Sequence, residues 1–79
     1  GYVARVVDWV LVSRVRKAFA TGEAERLRLE AGLSQRELAR AAGLPASSVQ
    51  RWEAGDSVPR PDACEAWAKA IKRLGLHLP

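Results

Sequence analysis

The clearest patterning of apolar and polar positions lies between Gly32 and Gly55, GLSQRELARAAGLPASSVQRWEAG. Leu38, Ala39 and Ala42 fall at i, i+1 and i+4 and make one apolar stripe on a short helix. Val49 and Trp52 give a second helix, from about Ala46 to Ala54, its buried side. Ser34 can cap the first helix by accepting from the N–H of Glu37, and Glu37 can reach back, which makes a capping box. Gly43 stands where that helix must stop, because only glycine enters the left-handed region cheaply. Leu44-Pro45 restarts the chain, with Pro45 pre-set for a first helical turn, and Gly55 ends the second helix.

The same reading extends outward. Val3, Val6, Val7, Val10, Leu11 and Val15 recur near helical spacing, with Phe19 closing the series and Arg5, Asp8, Arg16 and Lys17 on the other side. An amphipathic helix of about five turns over Tyr2 to Ala20 is predicted, although its many valines also suit a strand. Trp9 and Val12 widen its apolar face beyond what docking on a small core requires. Thr21 is the expected N-cap of the next helix, which buries Ala24, Leu27 and Ala31 and stops at Gly32, with Leu33 entering the core from the turn. DSVPRP, residues 56 to 61, reads as a loop, because two prolines in three residues exclude a helix interior. Pro61 and Asp62 open the last helix, and Cys64, Trp67, Ala68, Ile71 and Leu74 line one face of it. Gly75 ends it, leaving Leu76 to Pro79 as a short tail. The pattern predicts an all-α, five-helix compact domain, with residues 1–20 as a helical extension for docking or dimerisation and 21–79 as the main unit.

Composition narrows what such a domain can do. At 79 residues the chain has room for one small core. Thirteen Lys and Arg against nine Asp and Glu give a net charge of +4, which suits a polyanionic partner. Cys64 is the only cysteine, so no intrachain disulfide or thiolate metal cluster can form, which fits a reducing cytoplasm. His77 is the only histidine and lies in the tail. With no nucleophile paired to a base, no phosphate-binding glycine loop and no metal-spaced cluster, an enzyme is not expected, and neither is a cofactor or a metal. No apolar run approaches 18 residues, so no membrane span is expected. The chain has no methionine and opens on Gly1, a pattern that fits a cleaved tag or trimmed ends.

Two short helices joined by a tight turn containing glycine form a helix-turn-helix unit. Arg28, Gly32-Leu33-Ser34-Gln35, Glu37-Leu38-Ala39, Gly43, Ser48-Val49, Trp52-Glu53, Gly55 and the following Pro59 occur in an ordered set. In this the chain resembles the Cro/C1-type (XRE-like) helix-turn-helix family of phage repressors, Cro proteins, antitoxins and bacterial regulators, over roughly Gly22 to Leu74. The resemblance implies a lambda-repressor-like fold whose second unit helix, about 46–54, enters the DNA major groove while the helix before it crosses the phosphate backbone.

With Val49 and Trp52 pointing inward, Ala46, Ser47, Gln50 and Arg51 are left on the outer face as candidates for base contacts. Ser47 can bond several bases, Gln50 can pair bidentately with adenine, and Arg51 can pair with guanine or grip a phosphate. Ala46 offers only a methyl, where relatives often carry a longer residue. By resemblance, Gln35, Arg36, Arg40, Ser48 and Arg60 meet the DNA backbone, and Arg28 and Glu53 form a structural ion pair. The apolar start, through Val3, Val7, Val10 and Leu11, is the candidate dimer surface.

The leading expectation is a sequence-specific double-stranded DNA-binding regulator, most simply an operator-binding repressor acting as a homodimer on half-sites one helical turn apart. An antitoxin-like protein-interaction module that autoregulates through DNA, or a phage architectural or recombination factor, are the alternatives. Any of these is expected in the cytoplasm, on the DNA of a bacterium or phage-infected host.

Overall fold

The computed structural model describes residues 6–79, and among these every regular element is a helix. In chain order they are α1 (Trp9–Thr21), α2 (Glu23–Glu30), α3 (Gln35–Ala42), α4 (Ala46–Ala54) and α5 (Pro61–Arg73). None of these helices is long and apolar enough to cross a membrane. α3 packs on α4 and α5, whereas α1 packs on α2, α5 and α4. The five meet around one core built from Val12, Val15, Phe19, Leu27, Leu38, Val49, Trp52, Trp67 and Ile71 with small residues between them. Phe19 sits at its centre, edge-on to Trp52 at 5.7 Å between ring centroids and tilted against Trp67 at 5.0 Å. Aromatic pairs favour such offset geometries over flat stacking.

The N-terminal helix departs from its predicted limits. It begins at Trp9, because the Asp8 side chain accepts from the N–H of Leu11 at 3.1 Å and caps it there. Its core face is accordingly Val12, Val15, Ala18 and Phe19 rather than the series that starts at Val3. Val7 and Leu11 are half-buried against that core, while Val6, Trp9 and Val10 stay 88%, 62% and 69% exposed. Tyr2, Val3 and Arg5 lie outside the described residues.

Smaller corrections have equally local causes. Thr21 remains the last residue of α1, and Gly22 serves both as its end and as the start of α2, although the Thr21 hydroxyl still accepts from the Glu23 N–H. Ala31 is half-buried just beyond α2. Pro45 caps α4 from outside instead of opening its first turn. Leu74 is exposed at the end of α5, and its place against the core is taken by Leu76 and Leu78. The chain end is held in place by Arg14, which donates to the carbonyls of Leu78 and Pro79 at 3.2 and 3.0 Å.

The helix-turn-helix itself is built by local chemistry. At the start of α3 the Glu37 N–H donates to Ser34 Oγ at 3.1 Å, and the Ser34 N–H donates to Glu37 Oε1 at 2.9 Å. The Ser34 backbone N–H, and then its hydroxyl, hold the Glu37 carboxyl below its ordinary pKa. A carboxyl depressed in the fold stabilises above its unfolded pKa, so this contribution is lost as pH falls through the carboxylate range. Gly43 ends α3 at φ +69°, which lets its own N–H reach Arg40 O while the Leu44 N–H reaches Ala39 O at 2.8 Å. Ser34→Ala should lower stability by about 1 kcal/mol, the usual cost of losing a serine cap. Urea unfolding would measure it, and an unchanged midpoint would show that water replaces the cap without loss.

Candidate nucleic-acid interface

The outer side of α4 is set by what its inner side buries. Val49 is fully buried and Trp52 nearly so, and this leaves Ser47, Gln50 and Arg51 exposed and Ala46 and Ser48 half-buried. α4 carries no side-chain cap at its start. Among the described residues the N–H groups of Ala46 and Ser47 have no acceptor, at the helix end that favours anions. Arg36 and Arg40 are exposed on α3, and Arg60 is exposed at the end of the loop after α4. Among the described residues none of the side chains of Arg36, Arg40, Arg51 and Arg60 has a hydrogen-bond or ion-pair partner. Cations that fold without partners need break no internal bond to meet a ligand.

Behind this surface lies a polar clamp. Arg28 on α2 grips Glu53 on α4 with two parallel bonds, Nε to Oε2 at 2.8 Å and Nη2 to Oε1 at 2.9 Å. Its remaining arm donates from Nη1 to the carbonyl of Leu33 at 2.9 Å, so the turn before α3 is held by the same guanidinium. Gln35 adds its amide, which donates to Glu53 Oε1 at 3.0 Å. The two charged side chains are only 9% and 4% exposed. Hydrogen bonding to Glu53, set against the cost of burial, raises the Arg28 pKa above its ordinary value. A fork-to-fork pair of this kind fixes orientation as well as position. It locks the far end of α4 to α2 and to the start of α3.

Gln35 therefore faces two ways. One amide hydrogen is committed to Glu53, and the side chain is only half-buried, so its carbonyl remains available at the start of α3. Ser48, Arg51 and Arg60 border a shallow groove between α4 and the following loop, with Ser57, Val58 and Asp62. The Ser57 hydroxyl is buried there without a partner. Ser57 and Arg16 were not among the expected site residues, and nothing within a few positions of either marks them out. Arg26 bridges Glu23 and Glu30 along the exposed face of α2, a solvated arrangement of little energetic weight.

Residues 25–76 match the helix-turn-helix family. The chain belongs to that family. The matched span runs from the first turn of α2 to Leu76, three residues past the end of α5, and α1 lies outside it. Searches of curated proteins and of solved structures found no match. The family is the Cro/C1-type, XRE-like one, and the five-helix domain is of the lambda-repressor type. As a member the protein is a DNA-binding regulator of transcription whose partner is double-stranded DNA. Such regulators are typically not enzymes.

Proposed function

We propose that this helix-turn-helix protein is an operator-binding repressor that reads its site with α4 in the major groove. One observation carries the reading: the unpartnered outer face of α4, with Ser47, Gln50 and Arg51 exposed, flanked by the equally unpartnered Arg36, Arg40 and Arg60. Ser47, Gln50 and Arg51 reach base edges, and Ala46 contributes a methyl to a thymine methyl. Arg36, Arg40, Ser48, Arg60 and the free side of Gln35 meet phosphates and set the register.

One recognition helix reads only a few base pairs, so the proposal includes a two-fold dimer on half-sites one helical turn apart. The apolar start of the chain is its contact surface. Val10 is exposed there, Val7 and Leu11 are half-buried beside it, and Val6 and Trp9 extend the patch; Val3 lies outside the described residues. Native mass measurement should give a dimer on operator DNA, and a monomer both free and bound would remove this part of the reading.

The repressor reading is tested by selecting binders from a random duplex pool and measuring the winner at several salt concentrations. A palindrome with half-sites about ten base pairs apart is expected. Binding that is equally weak to scrambled DNA and vanishes with salt would leave charge attraction alone. On the selected duplex, Arg51→Ala should cost about 1–3 kcal/mol and relax preference at one base position, whereas Arg36→Ala should weaken all sequences alike. Equal losses on every sequence from Arg51→Ala would move Arg51 to the backbone.

A further inference from the structure

The loop that carries Arg60 is held from outside the matched residues. Arg16 on α1 donates from Nε to the carbonyl of Pro59 at 2.9 Å, across 43 positions of sequence. The same oxygen lies 3.6 Å from Cys64 Sγ, and Pro59 itself is fully buried. Among the described residues, no backbone hydrogen bond engages Ser57, Val58 or Pro59. The Asp56 N–H belongs to the end of α4, on Arg51 O, and the Arg60 carbonyl belongs to the start of α5, on the Cys64 N–H. The segment between is therefore anchored by the ring of Pro59 in the core and, on its carbonyl, by the Arg16 guanidinium and a weaker bond from the Cys64 thiol.

That anchor lies one peptide unit from Arg60. Proline at 59 and at 61 restricts the backbone on both sides, so a shift of the Pro59 carbonyl carries the Arg60 Cα with it. Arg60 shares its groove with Ser48 and Arg51 of α4 and with the orphaned Ser57 hydroxyl. The distance between Arg60 and α4 decides whether both sides of this groove can meet one strand of DNA. A charge-assisted bond from a half-buried, planar guanidinium is a directional way to set it.

We infer that Arg16 is a positioning residue for DNA-backbone binding: its bond to the Pro59 carbonyl sets the loop so that Arg60 meets a phosphate. In this assignment Arg16 acts through Pro59 and not on the DNA directly, with its Nε on that carbonyl and its side chain half-buried. The inference rests on the DNA reading of α4 and the α4–α5 loop given above.

The test is binding of the full chain to the selected duplex between roughly 50 and 200 mM salt, where log K falls linearly with a slope set by the number of phosphates engaged. Arg60→Ala should reduce that slope by about one. Arg16→Ala should reduce it by the same amount, the double variant should match Arg60→Ala alone, and Arg16→Lys, which keeps a donor for Pro59, should recover part of the loss. An unchanged slope in Arg16→Ala, with only a lower melting temperature, would make Arg16 purely structural and overturn the inference. Additive slope losses in the double variant would place Arg16 on a phosphate and overturn it equally. Should Arg16→Ala fail to fold, Arg16→Met, which keeps the apolar stem and has no donor, is read by the same criteria. A wild-type chain with no duplex preference would instead sink the DNA reading itself, and an unaltered slope in Arg60→Ala would sink the role of the loop alone.

Discussion

Glu53→Ala is expected to lower stability by about 3–5 kcal/mol, the range for removing one partner of a buried ion pair. The loss exceeds that of a neutral hydrogen bond because Arg28 is left charged inside the fold. Its Nε and Nη2 lose both acceptors, leaving the bond to Leu33 O and the half-exposed Glu25 carboxylate at 4.0 Å. The Gln35 amide loses the same carboxylate. For a domain of this size the change lowers the melting temperature by at least about 12 °C. Against a total of roughly 5–15 kcal/mol, that is a large share of the stability of the fold. The double change Arg28→Met with Glu53→Leu should recover much of the loss, since no charge is then buried. Calorimetry on the three proteins decides it. A single-variant loss below about 1 kcal/mol would mean that water reaches the pair and that α4 is held by packing alone.

Phe19→Ala is the second large effect. Phe19 lies outside the matched helix-turn-helix residues, yet its ring touches both Trp52 on α4 and Trp67 on α5. Emptying that position removes two aromatic contacts and opens a cavity where three helices meet, which should cost about 3–5 kcal/mol. Phe19→Leu should cost far less, because most of the volume is kept. Denaturant unfolding followed by tryptophan fluorescence and by circular dichroism should lose midpoint together in both probes. If Phe19→Ala costs under about 1 kcal/mol, α1 is an appendage and not part of the cooperative core.

How much of this was legible in the sequence follows the reach of each signal. The Ser34–Glu37 box, the stop at Gly43, the end at Gly55 and the opening of α5 at Pro61 each involve residues within four positions. Their geometry is dictated before any tertiary contact forms. The inward turn of Val49 and Trp52, and with it the outward turn of Ser47, Gln50 and Arg51, follows from helical spacing in the same way. Arg28 and Glu53 are 25 positions apart, and no local rule links them; only resemblance to relatives singled them out. Periodicity was misleading in the first helix. Valines at 3, 6, 7 and 10 extend an apolar series, but Asp8 caps the helix at Trp9 and the core takes up Val12, Val15 and Phe19 instead.

By itself the sequence determined the helices from α2 to α5, the turn between α3 and α4, and the face that α4 presents. Those depend on caps, glycine stops and side-chain period, all of them short-range. Only the tertiary structure decided that Arg16 leaves the solvent to hold Pro59, that Gln35 braces Glu53, and that Leu76 and Leu78 fold back onto the core. It also decided which valines of the N-terminal stretch stay exposed. Periodicity can mark an apolar face, but how much of it is covered depends on neighbouring helices that arrive from distant parts of the chain. A long arginine side chain is still less constrained locally, because its partner is whichever carbonyl or carboxylate the packed helices bring within reach.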